Sequence, residues 1–329
     1  MADEGVRCPY CLQFHGAGEM CPHYNQVIPK AYVRQRLAGM PTLHMLFIGY
    51  GGHGKTCYLA SLLHQVFHGS APERWPGFYP LGLTQQTLDH IHQEYIAALN
   101  NMVLPPRTGE FLPNALVLHL DSVPQRLVRG LPVPAYRQSD MMVTMHDIGG
   151  EAFETQQNIA ERLPLIAGVK QLVLLIDLTR VREEAEQGHE SVVQRLHSLL
   201  NTVHNALDQL DAVGRKGCIV CFTKADRMWD RDDYGPLAVR PSAQFPDVAG
   251  MAAYSKNLDR QSEAIAGFMK TMYPAFANML ESLFKPVRYA SISSLGHEPG
   301  GGPGAPMQVF SPINVFDPLF WYMKMEGLM

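Results

Sequence analysis

The stretch LFIGYGGHGKTCYLASL, from Leu46 to Leu62, constrains the fold of this chain more than any other. An apolar run with strand character leads into a glycine-rich turn, a Lys-Thr pair and an apolar helical stretch. The turn, Gly49 to Thr56, satisfies the pattern G-x-x-x-x-G-K-[ST], in which backbone N–H groups at a helix N-terminus surround a phosphate. The stretch therefore predicts a phosphate-binding loop (P-loop) between a buried strand and a helix.

The residues of this loop have expected roles. Lys55 is expected to reach the β- and γ-phosphates, and the Thr56 hydroxyl is expected to bind Mg²⁺. The glycines let the backbone approach the phosphates closely. His53 is at a variable position where a side chain pointing away from the phosphates is favoured, and Cys57 is more often a small buried residue than a reactive thiol. The predicted nucleotide-binding residues here are Gly49, Gly51, Gly52, His53, Gly54, Lys55, Thr56 and Cys57.

Strand-like apolar runs alternate with amphipathic helical stretches from about residue 41 to 296, which is the pattern of an α/β fold. The strands are nearly continuous in apolar residues, so we expect a mainly parallel sheet with helices on both faces. Strands are predicted at 43–49, 115–120, 141–147, 171–177, 217–222 and 287–293, and helices at 55–68, 84–102, 188–212 and 258–284.

The domain organisation follows from composition. Residues 1–30 are rich in Cys and His and lack periodicity, which predicts a small metal-stabilised module. Residues 41–329 form the predicted main domain, with long insertions at 69–114 and 230–255 and a C-terminal helix at 312–326. Insertions of this length between core elements are often functional.

Asp147 follows an apolar strand in MMVTMHDIGGEAF. An Asp at the end of such a strand can hold a Mg²⁺-bound water, and the N–H of Gly150 can donate to a γ-phosphate. Alone, Asp-Ile-Gly-Gly after a strand is an ordinary turn. After a P-loop it predicts a link between the nucleotide and the segment that begins at Glu151.

The second predicted strand after the one that ends at Asp147 is followed by Thr223-Lys224-Ala225-Asp226. A carboxylate here can accept hydrogen bonds from N1–H and the exocyclic amine of guanine, and adenine offers no such pair of donors. A site built for hydrogen bonds rejects the wrong base strongly, because the buried carboxylate is then left without donors. Lys224 is expected to lay its aliphatic stem along the base.

A serine-rich turn, Ser293-Ser294-Leu295, follows the last predicted strand. A backbone N–H of this turn is expected to contact the guanine oxygen.

These motifs, a P-loop, D-x-x-G, T-K-x-D and a serine turn in this order, resemble those of P-loop GTPases of the Ras/translation-factor (TRAFAC) class over about residues 41–296. The resemblance implies a mixed, mainly parallel sheet with GTP and Mg²⁺ at the strand C-termini. The N-terminal ribbon and the terminal VFDPLFWYM are also similar to the zinc-ribbon-bearing bacterial double-GTPases of conflict (defence) systems. The roles that the wider class implies are carried by Gly49, Gly54, Lys55, Thr56, Asp147, Gly150, Thr223, Lys224 and Asp226.

Two positions depart from the class. Glu151 stands where many relatives have the Gln that orients the attacking water. It implies slow intrinsic hydrolysis, or it simply begins a helix, where acids suit the positive N-terminus. The switch I threonine has no sharp motif, and we predict Thr108 rather than Thr84 or Thr87, which open a predicted helix. The candidate catalytic residues are thus Lys55, Glu151 and Thr108, and the candidate Mg²⁺ ligands are Thr56, Asp147 and Thr108.

Three cysteines lie in the first 25 residues, in CPYC and CPHYN. Clustered thiols in a chain that begins without a signal-peptide pattern indicate a metal site in a reducing compartment. We predict Zn²⁺ bound by Cys8, Cys11, Cys21 and His23, with His15 as the alternative fourth ligand and a metal-free ribbon as the competing interpretation. Cys218-x2-Cys221 has the same spacing but lies in an apolar strand, so we expect two core residues facing opposite sides.

A net charge of -4 gives no nucleic-acid signal, and the longest apolar run, 163–178, is too short and too interrupted by Lys170 to cross a bilayer. We therefore expect a cytoplasmic protein without a transmembrane segment. The sequence predicts a switch that binds GTP or GDP, hydrolyses GTP with Mg²⁺ and acts with protein partners. The alternative is a non-hydrolysing, GTP-bound scaffold or a zinc-ribbon adaptor that acts by assembly.

Overall fold

The computed structural model describes residues 5–16, 19–106, 115–127, 136–148, 163–187, 192–241, 244–300 and 305–329. Two small hairpins come first and a larger set of strands follows. The strands are β1 (Val6–Arg7), β2 (Phe14–His15), β3 (Met20–Cys21), β4 (Gln26–Val27), β5 (Thr42–Ile48), β6 (Tyr79–Gly82), β7 (Ala115–Leu127), β8 (Tyr136–His146), β9 (Gln171–Ile176), β10 (Gly217–Phe222) and β11 (Val287–Ser291).

Strands β5 to β11 form one seven-stranded sheet of order β11-β10-β9-β5-β8-β7-β6. The five strands from β11 to β8 are parallel, and β7 and β6 continue the sheet in antiparallel fashion. The first of the parallel strands, β5, has β9 on one side and β8 on the other. Chain order therefore reverses at β5, and in such sheets ligands bind beyond the carboxyl ends of the strands at that point.

Helices cover both faces of the sheet. Alternate residues of β5 belong to different hydrophobic cores, with Leu43, Met45 and Phe47 on one face and Leu46 and Ile48 on the other. The helices are α1 (Lys30–Leu37), α2 (Lys55–Phe67), α3 (Ser70–Arg74), α4 (Gln85–His90), α5 (Ala97–Asn100), α6 (Leu163–Gly168), α7 (Leu178–Glu186), α8 (Val192–Gln209), α9 (Met251–Met272), α10 (Pro274–Leu283) and α11 (Asp317–Met325).

The insertion predicted at 69–114 is built into the main domain over its described part, 69–106. It supplies the edge strand β6 and a helical run in which a π-helical segment, Ile91–Ile96, lies between α4 and α5. The insertion predicted at 230–255 contains a 3₁₀ segment, Asp232–Leu237, and the start of α9. Over their described residues, both insertions are therefore structured parts of the domain.

The N-terminal module packs against the amino end of the sheet. Arg7 donates from Nη1 to the carbonyl oxygen of Gly168 at 2.9 Å, just before β9 begins. The side chain of Leu12 lies so close to Gly168 that a Cβ there would collide with it. Lys216, immediately before β10, donates to the carbonyl of Val169 at 2.5 Å in the same segment. The module and the main domain are thus joined at this end.

The predicted fold class is confirmed at the level of a mixed, mainly parallel sheet with helices on both faces. All six predicted strands are present, while the strands β1 to β4 and β6 and the short helices α1, α3, α6 and α7 were not predicted. The C-terminal helix begins at Asp317 rather than at residue 312, because 312–316 form an irregular segment that includes a bridge between Ile313 and Ser293. No helix within the described residues has both the length and the apolar character needed to cross a membrane.

The prediction for the second cysteine pair is also confirmed. Cys218 and Cys221 are fully buried and belong to the two different hydrophobic cores, so they face opposite sides of the sheet.

Candidate functional site

The polar residues singled out in the sequence meet at the carboxyl edge of the sheet. Each follows a parallel strand: the 49–54 loop after β5, Asp147 after β8, the 223–226 segment after β10 and, one residue further on, the 293–295 turn after β11. Parallel strands bring their carboxyl ends to one edge, so four segments between residues 49 and 295 meet in one candidate site.

The P-loop joins β5 to α2, which begins at Lys55. Lys55 bends back over the loop, and its Nζ donates to the carbonyl oxygens of Gly49 at 2.6 Å and Tyr50 at 3.1 Å. Gly52 has a φ of 79°, and a Cβ there would collide with the guanidinium of Arg180. The positive φ favours glycine at this position, and a larger residue would also displace the Arg180 guanidinium.

A second strand end supports the loop, and sequence reasoning did not identify it. Asp177 follows β9 and is fully buried; its Oδ1 accepts from Thr179 Oγ1 at 2.6 Å and from the Arg180 N–H at 3.0 Å. Its Oδ2 lies 2.6 Å from Lys224 Nζ. Burial alone would raise the pKa of Asp177, but the charge of Lys224 and these hydrogen bonds hold it below its ordinary value.

Arg180 extends this network to the phosphate-binding loop. Its Nη1 donates to the carbonyl oxygen of Gly51 at 2.9 Å, which fixes the guanidinium against the outside of the turn. The sequence signal for this network was Arg180, a charged residue three positions after Asp177 at the end of a buried strand. An ion pair and an arginine from the β9 segment thus hold Lys224 and the P-loop in place.

The Thr223-Lys224-Ala225-Asp226 segment contacts both the P-loop and the serine turn. Thr223 donates from Oγ1 to the carbonyl oxygen of His53 at 2.9 Å. Ser293 donates from Oγ to Asp226 Oδ1 at 2.5 Å and accepts from the Gly296 N–H at 2.9 Å. Since Ser293 orients the Asp226 carboxylate, three segments predicted to bind one nucleotide are connected by direct hydrogen bonds.

Ser294 and Leu295 are held in the same turn. Ser61 of α2 donates to the carbonyl oxygen of Ser294 at 2.5 Å, and the carbonyl of Leu295 accepts from the Ser311 N–H at 2.9 Å. The predicted contact of this turn with a base oxygen stays a prediction.

Asp147 is buried, and Tyr95 of the π-helical segment donates from its hydroxyl to Asp147 Oδ2 at 3.0 Å. Burial and the nearby carboxylate raise the pKa of Tyr95 well above its ordinary value. Sequence reasoning missed Tyr95, since its contact with Asp147 spans 52 positions.

The His53 side chain is buried and the Cys57 side chain is partly buried. The His53 ring is buried with Nδ1 3.3 Å from the Leu175 carbonyl oxygen, and burial lowers its pKa to about 4. The His53 ring is thus packed against β9, in agreement with the favoured interpretation that it points away from the phosphates. Burial raises the pKa of the Cys57 thiol, which marks it as a packed residue and not an activated one.

Several predicted residues lie outside the part of the chain that the structure describes. They are Thr108, Gly150 and Glu151. The competing switch I candidate Thr84 caps α4, where its hydroxyl accepts from the Thr87 N–H at 3.1 Å. Both threonines therefore belong to a helix start, as the sequence indicated.

The oxygen ligands proposed for Mg²⁺ are chemically suitable. Thr56 in the first turn of α2 supplies a hydroxyl, and Asp147 supplies a buried carboxylate. Mg²⁺ prefers hard oxygen ligands and commonly keeps several waters, so one or two protein groups plus phosphate oxygens suffice.

A second cluster lies in the N-terminal module. One donor atom from each of Cys8, Cys11, His15 and Cys21 lies within 4.8 Å of the other three. The Cys11 sulfur is 3.0 Å from His15 Nε2, and the Tyr10 N–H donates to the Cys8 sulfur at 3.4 Å. Three thiols and an imidazole are a donor set that suits tetrahedral Zn²⁺.

The prediction of His23 as the fourth ligand is corrected to the alternative, His15. His23 lies in the exposed turn between β3 and β4, and its Nε2 is 2.9 Å from Gln13 Oε1. His15 sits on β2, whose pairing with β1 brings its side chain to the cysteines.

No protein-family model and no curated protein sequence matches the chain. Solved structures similar to it include the GTPase-like domain of Ski7 from S. cerevisiae bound to GTP, with 14% identity over 89% of this chain and 52% of that chain, and a TM-score of 0.37. Sup35 complexed with GDP has 13% identity over 78% of this chain and 38% of that chain, and a TM-score of 0.29. The chain spans about half the length of the Ski7 structure and less of the Sup35 structure. These scores are too low to assign a function, which is therefore inferred from the site.

Proposed function

We propose that this chain binds GTP with Mg²⁺ at the carboxyl edge of its sheet and hydrolyses the GTP to GDP. The observation that supports this most directly is the connection of the P-loop to Thr223 and of Asp226 to Ser293. These hydrogen bonds connect the segments proposed to bind the phosphates with the segments proposed to read the base.

In the proposed complex, the N–H groups at the start of α2 and the Lys55 ammonium bind the phosphates. Lys55 now donates to the carbonyls of Gly49 and Tyr50 and would exchange these bonds for phosphate oxygens. Thr56 and Asp147 would hold Mg²⁺, which neutralises charge on the phosphates when bound.

Asp226 is proposed to read the base. Its carboxylate accepts from Ser293 on one oxygen and is partly exposed, so it can still accept from the two guanine donors. Adenine would leave this carboxylate without donors, which strongly disfavours ATP. Lys224 is held beside Asp177 by the 2.6 Å ion pair, with its stem available to flank the base.

Hydrolysis would release the segments around Thr108 and Asp147–Glu151 from the γ-phosphate, so the proposed role is a nucleotide-dependent switch. From the sequence we also propose that the switch acts with protein partners. The narrower resemblance points to the conflict systems as one such multi-protein system.

The N-terminal cluster is proposed to bind one structural Zn²⁺ through Cys8, Cys11, His15 and Cys21. A small module with few buried apolar residues gains most of its stability from such a site.

Calorimetric titration of the purified chain with GTP, GDP and ATP in Mg²⁺ tests nucleotide binding. We expect GTP and GDP to bind and ATP to bind at least about 100-fold more weakly, because the discrimination comes from hydrogen bonds to a carboxylate. Equal affinity for ATP would contradict the guanine assignment.

A single-turnover assay of phosphate release from bound GTP tests the enzymatic step. Slow release that requires Mg²⁺ would support a GTPase. Stable GTP without phosphate release, with and without co-purifying proteins, would favour the non-hydrolysing scaffold.

A further inference from the structure

Tyr95 makes a contact that the proposed nucleotide site does not by itself explain. Its hydroxyl donates to Asp147 Oδ2 at 3.0 Å, and both side chains are almost fully buried, with Tyr95 5% and Asp147 3% exposed. The residue comes from the insertion between α2 and β7. An inserted element therefore contacts a carboxylate of the site directly.

The backbone around Tyr95 is unusual. The segment Ile91–Ile96 is π-helical and is continued by α5, whereas the flanking turns are α-helical. A π-helical turn widens the helix and changes the direction of its side chains, and such turns occur often at functional sites. The wide turn carries Ile91, Tyr95 and Ile96, all buried, on the face toward the main domain.

The insertion that carries Tyr95 is fixed at both ends. Near its start, Trp75 donates from Nε1 to the Pro246 carbonyl at 3.1 Å. Near its described end, the Leu104 N–H donates to the Ala305 carbonyl at 3.0 Å, and the Met307 N–H donates to the Met102 carbonyl at 2.6 Å. Because these contacts anchor the insertion to distant parts of the chain, the Tyr95 hydroxyl is presented from a rigid support.

We propose that Tyr95 is a positioning residue that sets the orientation of the Asp147 carboxylate for Mg²⁺. The inference rests on the proposed GTP·Mg²⁺ site. A hydrogen bond to one carboxylate oxygen fixes the plane of the group and so the direction of its other oxygen. Groups that orient metal-binding side chains in this way commonly change metal affinity about 10- to 100-fold when they are removed.

The variant Tyr95→Phe removes the hydroxyl and keeps the packed ring. GTP binding is measured as a function of Mg²⁺ concentration and also in excess EDTA. We expect the Mg²⁺ concentration for half-maximal effect to rise about tenfold, with GTP affinity in EDTA close to that of the wild type. A merely structural defect would lower the affinity in both conditions together.

A matched control is available in Tyr254→Phe. The Tyr254 hydroxyl also donates to a buried carboxylate, Asp317 Oδ1 at 2.5 Å, but this pair joins α9 to α11 and involves none of the proposed Mg²⁺ ligands. Thermal unfolding of both variants reports the cost of losing a buried tyrosine–carboxylate bond. Only Tyr95→Phe is expected to shift the Mg²⁺ dependence.

A Mg²⁺ dependence within twofold of the wild type in Tyr95→Phe, with wild-type protein that binds GTP, would overturn this inference and leave the proposed function intact. A wild type that binds no GTP in Mg²⁺ would overturn the proposed function and the inference with it.

Discussion

The two ends of the central sheet are used in different ways. At the carboxyl end, consecutive loops contact one another through polar side chains, such as Thr223 with the His53 carbonyl and Ser293 with Asp226. At the amino end, the sheet is covered by the N-terminal module through Leu12 and Arg7 against Gly168. The carboxyl end is the proposed ligand site, whereas the amino end is a packed junction.

This difference shows why the same sequence spacing has different outcomes. Cys8 and Cys11 lie in a tight turn, where the Leu12 N–H bonds to the Cys8 carbonyl at 3.0 Å, and their sulfurs converge. Cys218 and Cys221 lie in β10 and face opposite cores. Spacing alone does not define a metal site; the backbone between the residues does.

If the two ends are independent, removing the metal ligand should affect only the module. Cys11→Ser is expected to lower bound zinc from about one ion per chain to none and to destabilise residues 5–37 strongly, because metal binding and folding are coupled in small sites. Metal content by mass spectrometry and proteolysis of the module provide the measurements. As the control, the variant Cys218→Ser changes a cysteine of the other pair and should keep the zinc that the N-terminal module binds.

GTP affinity in Cys11→Ser is expected to stay within about threefold of the wild type, since effects at distant sites without shared partners are nearly independent. A large loss of GTP binding would show that the two ends of the sheet are coupled and would contradict their independence.

The reverse test changes the carboxyl end. Lys55→Ala is expected to weaken GTP binding about 100- to 1000-fold, or ~3–4 kcal/mol, because a charged partner of the phosphates is lost. Calorimetry measures this change, and zinc content should be unchanged. GTP affinity close to that of the wild type would remove Lys55 from the phosphate site.

A third, smaller predicted effect, on the pH dependence of stability, involves neither end of the sheet. Asp317 is fully buried, and burial raises its pKa to about 7. The folded state therefore holds this proton above the pH at which the unfolded chain releases it, so stability should fall as pH rises from about 4 to 7.

Over pH 5 to 7 this contribution is on the order of 2–3 kcal/mol. Asp317→Asn should remove it, so the difference in unfolding free energy between the variant and the wild type should move in favour of the variant as pH rises. Urea denaturation of both proteins at pH 5 and pH 7 measures the difference. A difference that does not change with pH would contradict the raised pKa.

The sequence was sufficient for those features that depend on local pattern. Six strands, the P-loop and the polar residues after β8, β10 and β11 follow from short apolar runs and the residues directly behind them. Because parallel strands end at one edge, their convergence could also be predicted.

Features that depend on long-range contacts could not be predicted. Tyr95 reaches Asp147 from an insertion whose path is fixed by contacts with residues beyond 245. Asp177 looked like the end of an apolar strand, and its pairing with Lys224 depends on the β9–β10 register. His15 replaces His23 as the candidate for the fourth zinc ligand. The β1–β2 hairpin, whose strands have two residues each, decides which imidazole faces the thiols, and the spacing from Cys21 does not.

The central claim is that Asp226 makes this site specific for guanine, and the base-swapping variant tests it most directly. In Asp226→Asn the new amide can donate to the 2-carbonyl of xanthine but no longer accepts from the guanine amine as a carboxylate does. We predict that GTP affinity falls at least about 100-fold while affinity for XTP rises above that for GTP. Unchanged GTP affinity in this variant, with Ser293 and the P-loop intact, would contradict the account.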